Sequence, residues 1–246
     1  MTLNGLSVST VITSSKNKLM QQIKNFGDQR QTSRCVYCGG ATETREHVPS
    51  RVFLDTPYPE NLPIVSACEK CNNGYSLDEE YMACLIECAR VGGIDSDLIQ
   101  RQKIKRILSE KPRLLKRLKK AMNERGGDIS FAVETDRIRK VLLKLARGHA
   151  LFEQNEPHLS DEPSLFEFGI LEELPEESRV QFEETPIMSL APEVGSRALQ
   201  QIAITEQGAF IPWTSVQDGR YRYVIPQVGL VRMVFSEYLW CQVGWD

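Results

Sequence analysis

The sequence predicts an α+β protein in three parts: a Cys-rich N-terminal module, a helical middle and a β-rich C-terminal part. Three observations lead there. Two C-x-x-C pairs, Cys35/Cys38 and Cys68/Cys71, bracket an irregular stretch of Gly, Pro and Asn. Apolar residues then recur at helical spacing from 76 to about 153. From about 165 the period shifts towards two. These changes divide the chain into an arm (1–30), a metal-stapled module (31–93), a helical region with a basic helix (94–155) and a β-rich region (156–246). A hydrophobic content of 41% against 26% charge is enough to fold such parts rather than leave them disordered.

Taken in order, residues 14–30 read as a short polar helix, an arm or a lid. Residues 35–75 lack the periodicity that packing needs, so another staple must hold them. Residues 76–90 form a helix, with Ser76 and Glu79 as a capping box. Asp78, Glu79 and Glu80 sit at the positive end of its dipole. Leu77, Tyr81, Cys84, Leu85 and Cys88 share one face, which makes Cys84 and Cys88 buried thiols rather than ligands. Gly92 and Gly93 end the helix. Residues 98–122 are helical in pattern and broken near Pro112. Residues 135–153 bury Ile138, Val141, Leu142, Leu145 and Phe152, and His149 on that face reads as a buried, hydrogen-bonded histidine. Strands are expected at 166–171, 179–184, 200–204, 209–213, 220–225, 230–235 and 238–243. Cys241 belongs to the core. Tyr221, Arg222 and Tyr223 read as alternating core and solvent positions, with base stacking as the alternative.

Charge is placed unevenly. The formal net charge is −3, from 33 acidic and 30 basic residues. Residues 101–120 hold ten Lys or Arg and one acid, whereas 153–186 hold eleven acids and one Arg. The basic run suits phosphate, because steering follows the local field and not the sum. Its candidate contacts are Lys103, Lys105, Arg106, Arg113, Lys116, Arg117, Lys119 and Lys120. Docking of the acidic run on this face, as a DNA mimic that quiets it, is the alternative. No apolar stretch approaches the roughly 18 residues of a membrane span, and the N-terminus lacks a secretory pattern. A cytoplasmic location is therefore expected. In that reducing compartment seven cysteines are ligands or buried thiols.

Two C-x-x-C pairs complete a tetrahedral four-cysteine site, which binds zinc structurally because it leaves no open position. The stretch between them holds Arg45-Glu46-His47-Val48-Pro49, then Asn61-Leu62-Pro63-Ile64-Val65, and Asn72 follows the last ligand. In these residues the chain resembles the HNH, or ββα-metal, nucleases, in the version where a zinc knuckle clamps the motif. The likeness covers about a fifth of the chain.

The resemblance implies a metal-dependent endonuclease acting on DNA, with RNA as the alternative substrate. His47 matches the general base. Glu46 matches the acidic ligand of a catalytic Mg²⁺ or Mn²⁺, and Asn72 matches its second protein ligand, with Asn73 as the alternative. Asn61 matches the middle Asn that braces the loop. The helix from Ser76 would be the α of ββα. Glu stands where Asp is usual, Asn where His is common, and Gly74-Tyr75-Ser76 where a Lys is frequent. Bacterial proteins of this kind often act in antiviral defence or mobile elements. The lack of a P-loop here would assign nucleotide-driven control to a separate ATPase or other defence protein. The C-terminal part would hold a partner, a homodimer or substrate. The competing function is a zinc-containing module that binds nucleic acid or protein without cutting.

Overall fold

Short strands and a long helix build the N-terminal part of the computed structural model, which describes residues 33–95, 97–185, 197, 202–206 and 208–246. The arm expected over 14–30 lies outside the described residues, as do Gln200 and Gln201. Strands β1 (Thr44–His47) and β2 (Ile64–Ala67) pair antiparallel, with Glu46 opposite Val65 and His47 opposite Ile64. The chain passes directly from β2 into Cys68, the N-cap of the short helix α1 (Glu69–Gly74). Helix α2 (Ser76–Arg90) follows after Tyr75.

The capping box expected at Ser76 is not formed. Tyr75 is the N-cap, without a side-chain hydrogen bond, because α1 runs almost straight into α2. Ser76 thus falls inside the helix, and Glu79 is turned inward, 7% exposed, to other partners. Asp78 and Glu79 do occupy the first turn, where negative charge suits the helix dipole.

The basic run forms two helices, α3 (Gln102–Glu110) and α4 (Pro112–Ala121), with Pro112 at the start of the second. That is where a missing N–H costs nothing. A hairpin that periodicity did not reveal comes next: β3 (Met122–Arg125) and β4 (Asp128–Phe131). Gly126 and Gly127 both take positive φ at its turn, which a side chain would resist. Helix α5 (Thr135–Gln154) then crosses behind the β1–β2 hairpin. Gly148 permits its close approach, since a Cβ there would lie 2.7 Å from Val48 Cγ2.

The C-terminal part is a five-stranded antiparallel sheet. Its strands are β5 (Leu165–Ile170), β8 (Thr214–Gln217), β9 (Tyr221–Gln227), β10 (Leu230–Phe235) and β11 (Leu239–Gly244), in the order β5-β11-β10-β9-β8. A separate pair, β6 (Ala203–Thr205) and β7 (Gly208–Phe210), precedes β8. Residues 179–184, expected as a strand, belong instead to helix α6 (Glu176–Glu183). Val180 stays exposed there and Phe182 alone is buried, so alternation in that segment carried no packing.

The sheet has two covered faces. Inward, Tyr221, Tyr223, Val231, Met233, Phe235, Cys241 and Val243 join one core with α2, α3, α5 and the hairpin. Outward, Val234 packs with Leu171 and Phe182, and Trp213 and Trp240 close over them. Alternation along β9, β10 and β11 produces this division, as period two requires.

Candidate functional site

Cys35, Cys38, Cys68 and Cys71 converge until their sulfurs all lie within 4.8 Å of one another. Two tight turns bring this about. Cys35 N–H donates to Gly40 O (2.8 Å) and Gly39 N–H to Cys35 O (2.8 Å). At the other corner Cys71 N–H donates to Cys68 Sγ (3.4 Å). Val36 N–H donates to Ser66 O (3.0 Å), which fastens the first turn to β2. Sulfurs about 2.3 Å from a tetrahedral centre stand about 3.8 Å apart. The Cys38–Cys68 pair is at 3.8 Å. The Cys71 N–H holds the Cys68 thiol below its usual range, whereas burial and the neighbouring thiols push Cys71 up. Four cysteine sulfurs gathered this way can hold a structural metal such as zinc. Among the described residues no other set of three or more His, Cys, Asp or Glu groups converges so closely.

Beside this centre β1 splits the candidate catalytic pair between its two faces. His47 is half-buried and its Nε2 lies 3.0 Å from Arg51 Nη2. A guanidinium only donates, so Nε2 accepts and the proton sits on Nδ1. Burial, then the Arg51 charge, brings the His47 pKa from 6.5 to about 4. The ring is therefore neutral near pH 7, as a proton acceptor must be.

Glu46 points the other way and is 7% exposed. Its Oε1 accepts from Lys144 Nζ at 2.9 Å and from Ser50 Oγ at 3.1 Å. Lys144 reaches it from α5, fully buried, and donates as well to Glu79 and to Ser50 Oγ (3.1 Å). Ser50 lies 2.5 Å from Glu79 Oε1. Burial pushes the Glu46 carboxyl above its usual range, and the Lys144 charge works against that shift. Asn72 Nδ2 donates to Thr44 Oγ1 (3.1 Å), whose hydroxyl donates to Ala67 O (3.0 Å). Asn61 is exposed in the loop before β2 and makes no side-chain hydrogen bond among the described residues.

These donors do not fit a catalytic Mg²⁺ or Mn²⁺ shared by Glu46 and Asn72. Such an ion takes oxygen ligands and keeps several waters. Here the Glu46 carboxylate already neutralises an ammonium, and the Asn72 amide is turned to Thr44.

The basic face divides by task. Lys103 Nζ donates to Arg51 O (2.6 Å) and Leu54 O (2.5 Å), so it braces the loop after β1. Arg101 and Arg220 pair with Asp55 in the same loop. Lys105 is half-buried, whereas Arg106, Arg113, Lys116, Arg117, Lys119 and Lys120 are exposed. The ion pairs of 101–120 among the described residues run to Asp55, Glu80 and Glu134, and none reaches the acidic stretch 153–186.

Tyr221 and Tyr223 are core. Both are at most 2% exposed, and Tyr223 stacks on His149 with ring centroids 3.8 Å apart. His149 Nε2 lies 2.7 Å from Tyr221 Oη. Arg222, on the other face, pairs with Glu183 and Glu237. Cys84, Cys88 and Cys241 are fully buried.

Comparison with protein-family models, curated proteins and solved structures finds no match. Among the described residues no helix is long and apolar enough to cross a membrane.

Sequence reading missed three residues at the site, Ser50, Arg51 and Lys144, and gave Glu79 to a capping box. The signal for Lys144 was present. It falls on the apolar stripe of α5 between Val141 and Leu145, and a lysine there needs a partner.

Proposed function

We propose that the chain is an HNH-type endonuclease that hydrolyses phosphodiester bonds in DNA, with His47 as the base. The observation that carries this reading is the setting of His47. It ends β1 of a hairpin clamped by four cysteines and followed by a helix, and its ring is held neutral beside a guanidinium. In the proposed reaction a water oxygen attacks phosphorus, its proton passes to His47 Nε2, and the P–O bond to the leaving oxygen breaks. That oxygen takes its proton from solvent. Arg51 swings from His47 to a non-bridging phosphate oxygen and offsets the charge that develops there. A phosphate beside Arg51 also raises the His47 pKa and makes it a stronger base. The exposed cations of α3 and α4 hold the flanking backbone.

Purified protein with plasmid, single-stranded DNA and RNA tests this. Wild type is expected to cut, and His47→Ala to lose at least about 100-fold in rate, the usual weight of a positioned base, while keeping zinc and fold. Equal cutting by the variant would remove His47 from the reaction. A second reading, a zinc module that binds without cutting, is favoured by the pairing of Glu46 with Lys144. Salt-dependent DNA binding with no cleavage under any ion would establish it. The defence role, with a separate ATPase as partner, follows from the resemblance and is tested by the genes beside this one.

A further inference from the structure

Lys144 has an environment that a surface lysine never meets. Its side chain is fully buried, and its three N–H donors face three oxygens, on Glu46, Ser50 and Glu79. The remaining walls are aromatic: Nζ lies 5.3 Å from the Tyr75 ring centroid and 5.8 Å from that of Tyr37. Ring faces attract an ammonium but offer no lone pair to a hydrated ion. Mg²⁺ demands near-octahedral oxygen ligands at about 2.0–2.1 Å and gives up water reluctantly. This chamber supplies three oxygens, two ring faces and a positive charge already in place.

We propose that the Lys144 ammonium is the resident cation of the hairpin–helix module, so that Glu46 binds no Mg²⁺ or Mn²⁺. Comparing this position with an HNH site rests on the nuclease reading above; the exclusion of the ion does not. Lys144 is then a positioning residue. It fixes β1 against α2 and α5 through Glu46 and Glu79, and so aims His47 from the opposite face of the strand. The charge on a bound phosphate is met by Arg51 and the exposed basic side chains. Any cutting proceeds without an added divalent ion.

The test begins with a readout independent of activity. The full chain, loaded with one zinc, is titrated with Mn²⁺, and the free ion is followed by electron paramagnetic resonance. Wild type is expected to leave the free signal unchanged. Lys144→Ala, with both carboxylates released, is expected to take up about one Mn²⁺ per chain, as hard oxygen ligands favour. Adding Glu46→Gln to that variant abolishes the uptake. Uptake of one Mn²⁺ by wild type that Glu46→Gln loses overturns the proposal. So does a folded Lys144→Ala that takes up none. Wild type against Glu46→Gln keeps the test decisive should Lys144→Ala not fold. DNA cutting is measured beside it with one zinc per chain and no other divalent ion. Cutting there supports both the resident cation and the nuclease. Cutting only with added Mg²⁺ or Mn²⁺ overturns the resident cation and leaves the nuclease standing. No cutting with any ion, while wild type ignores Mn²⁺, leaves the resident cation standing and removes the nuclease.

Discussion

At the scale of single residues, β1 separates two jobs by alternation. Glu46 faces inward to Lys144, and His47 faces outward to Arg51. A base held near pKa 4 sets the acid side of the pH profile. If His47 is the proposed base it acts unprotonated, so kcat/KM is expected to hold from pH 7 downward and fall only as pH approaches about 4, where the free ring gains its proton. In kcat the fall should come at higher pH, because bound phosphate offsets the Arg51 charge. A kcat/KM profile that drops near pH 6.5 would mean that the ring is neither buried nor paired in solution. Residues that share a short segment were legible in the sequence: both cysteine pairs, Glu46, His47 and Asn72 lie within 38 positions, from Cys35 to Asn72. For Lys144 the need of a partner was legible but not which partner, because Glu46 is 98 residues away and only the crossing of α5 brings them together.

Elements were read best where periodicity met burial. Helices α2 and α5 follow their apolar stripes, except that Leu77, expected on the buried face of α2, is 68% exposed, and β9, β10 and β11 follow their alternation. The misreadings came where few side chains are buried. In α6 Phe182 is the one anchor, and both β3 and β4 lack any buried residue. Helix α4 shows the same economy in a useful form, since Leu118 is its single buried residue, Leu114 and Leu115 pack partly against the core, and Arg113, Lys116, Arg117, Lys119 and Lys120 are exposed. Charge reversal at Arg113, Lys116 and Lys119 is therefore expected to leave the fold intact and weaken DNA binding. The slope of log K against log salt should flatten by about 1 for each phosphate that is no longer neutralised. Fluorescence titration across several salt concentrations checks this, and an unchanged slope would place the DNA elsewhere.

Over the whole molecule, two devices hold the N-terminal part: the four-cysteine centre and the core it shares with the sheet. If zinc is the staple, a chelator should lower the melting temperature by about 10 °C or more, since structural zinc is worth several kcal/mol and each shifts a chain of this size by about 2–4 °C. Differential scanning calorimetry reads this, and an unshifted transition would show that the thiols are merely neighbours. Three distant stretches complete the arrangement. Burial alone would raise the Asp55 carboxyl, yet Arg101 and Arg220 hold it below the usual range. Gln217, from the edge strand β8, accepts from Asp55 N–H and donates to Asp55 O. The consequence concerns transplantation. Residues 33–93, grafted onto another scaffold, would carry all four clustered cysteines and His47. They would arrive with Glu46, Glu79 and Asp55 stripped of their counter-charges. The smallest portable unit therefore extends through α5 and the C-terminal sheet that shares its core, and shorter grafts would inherit the motif without its posture.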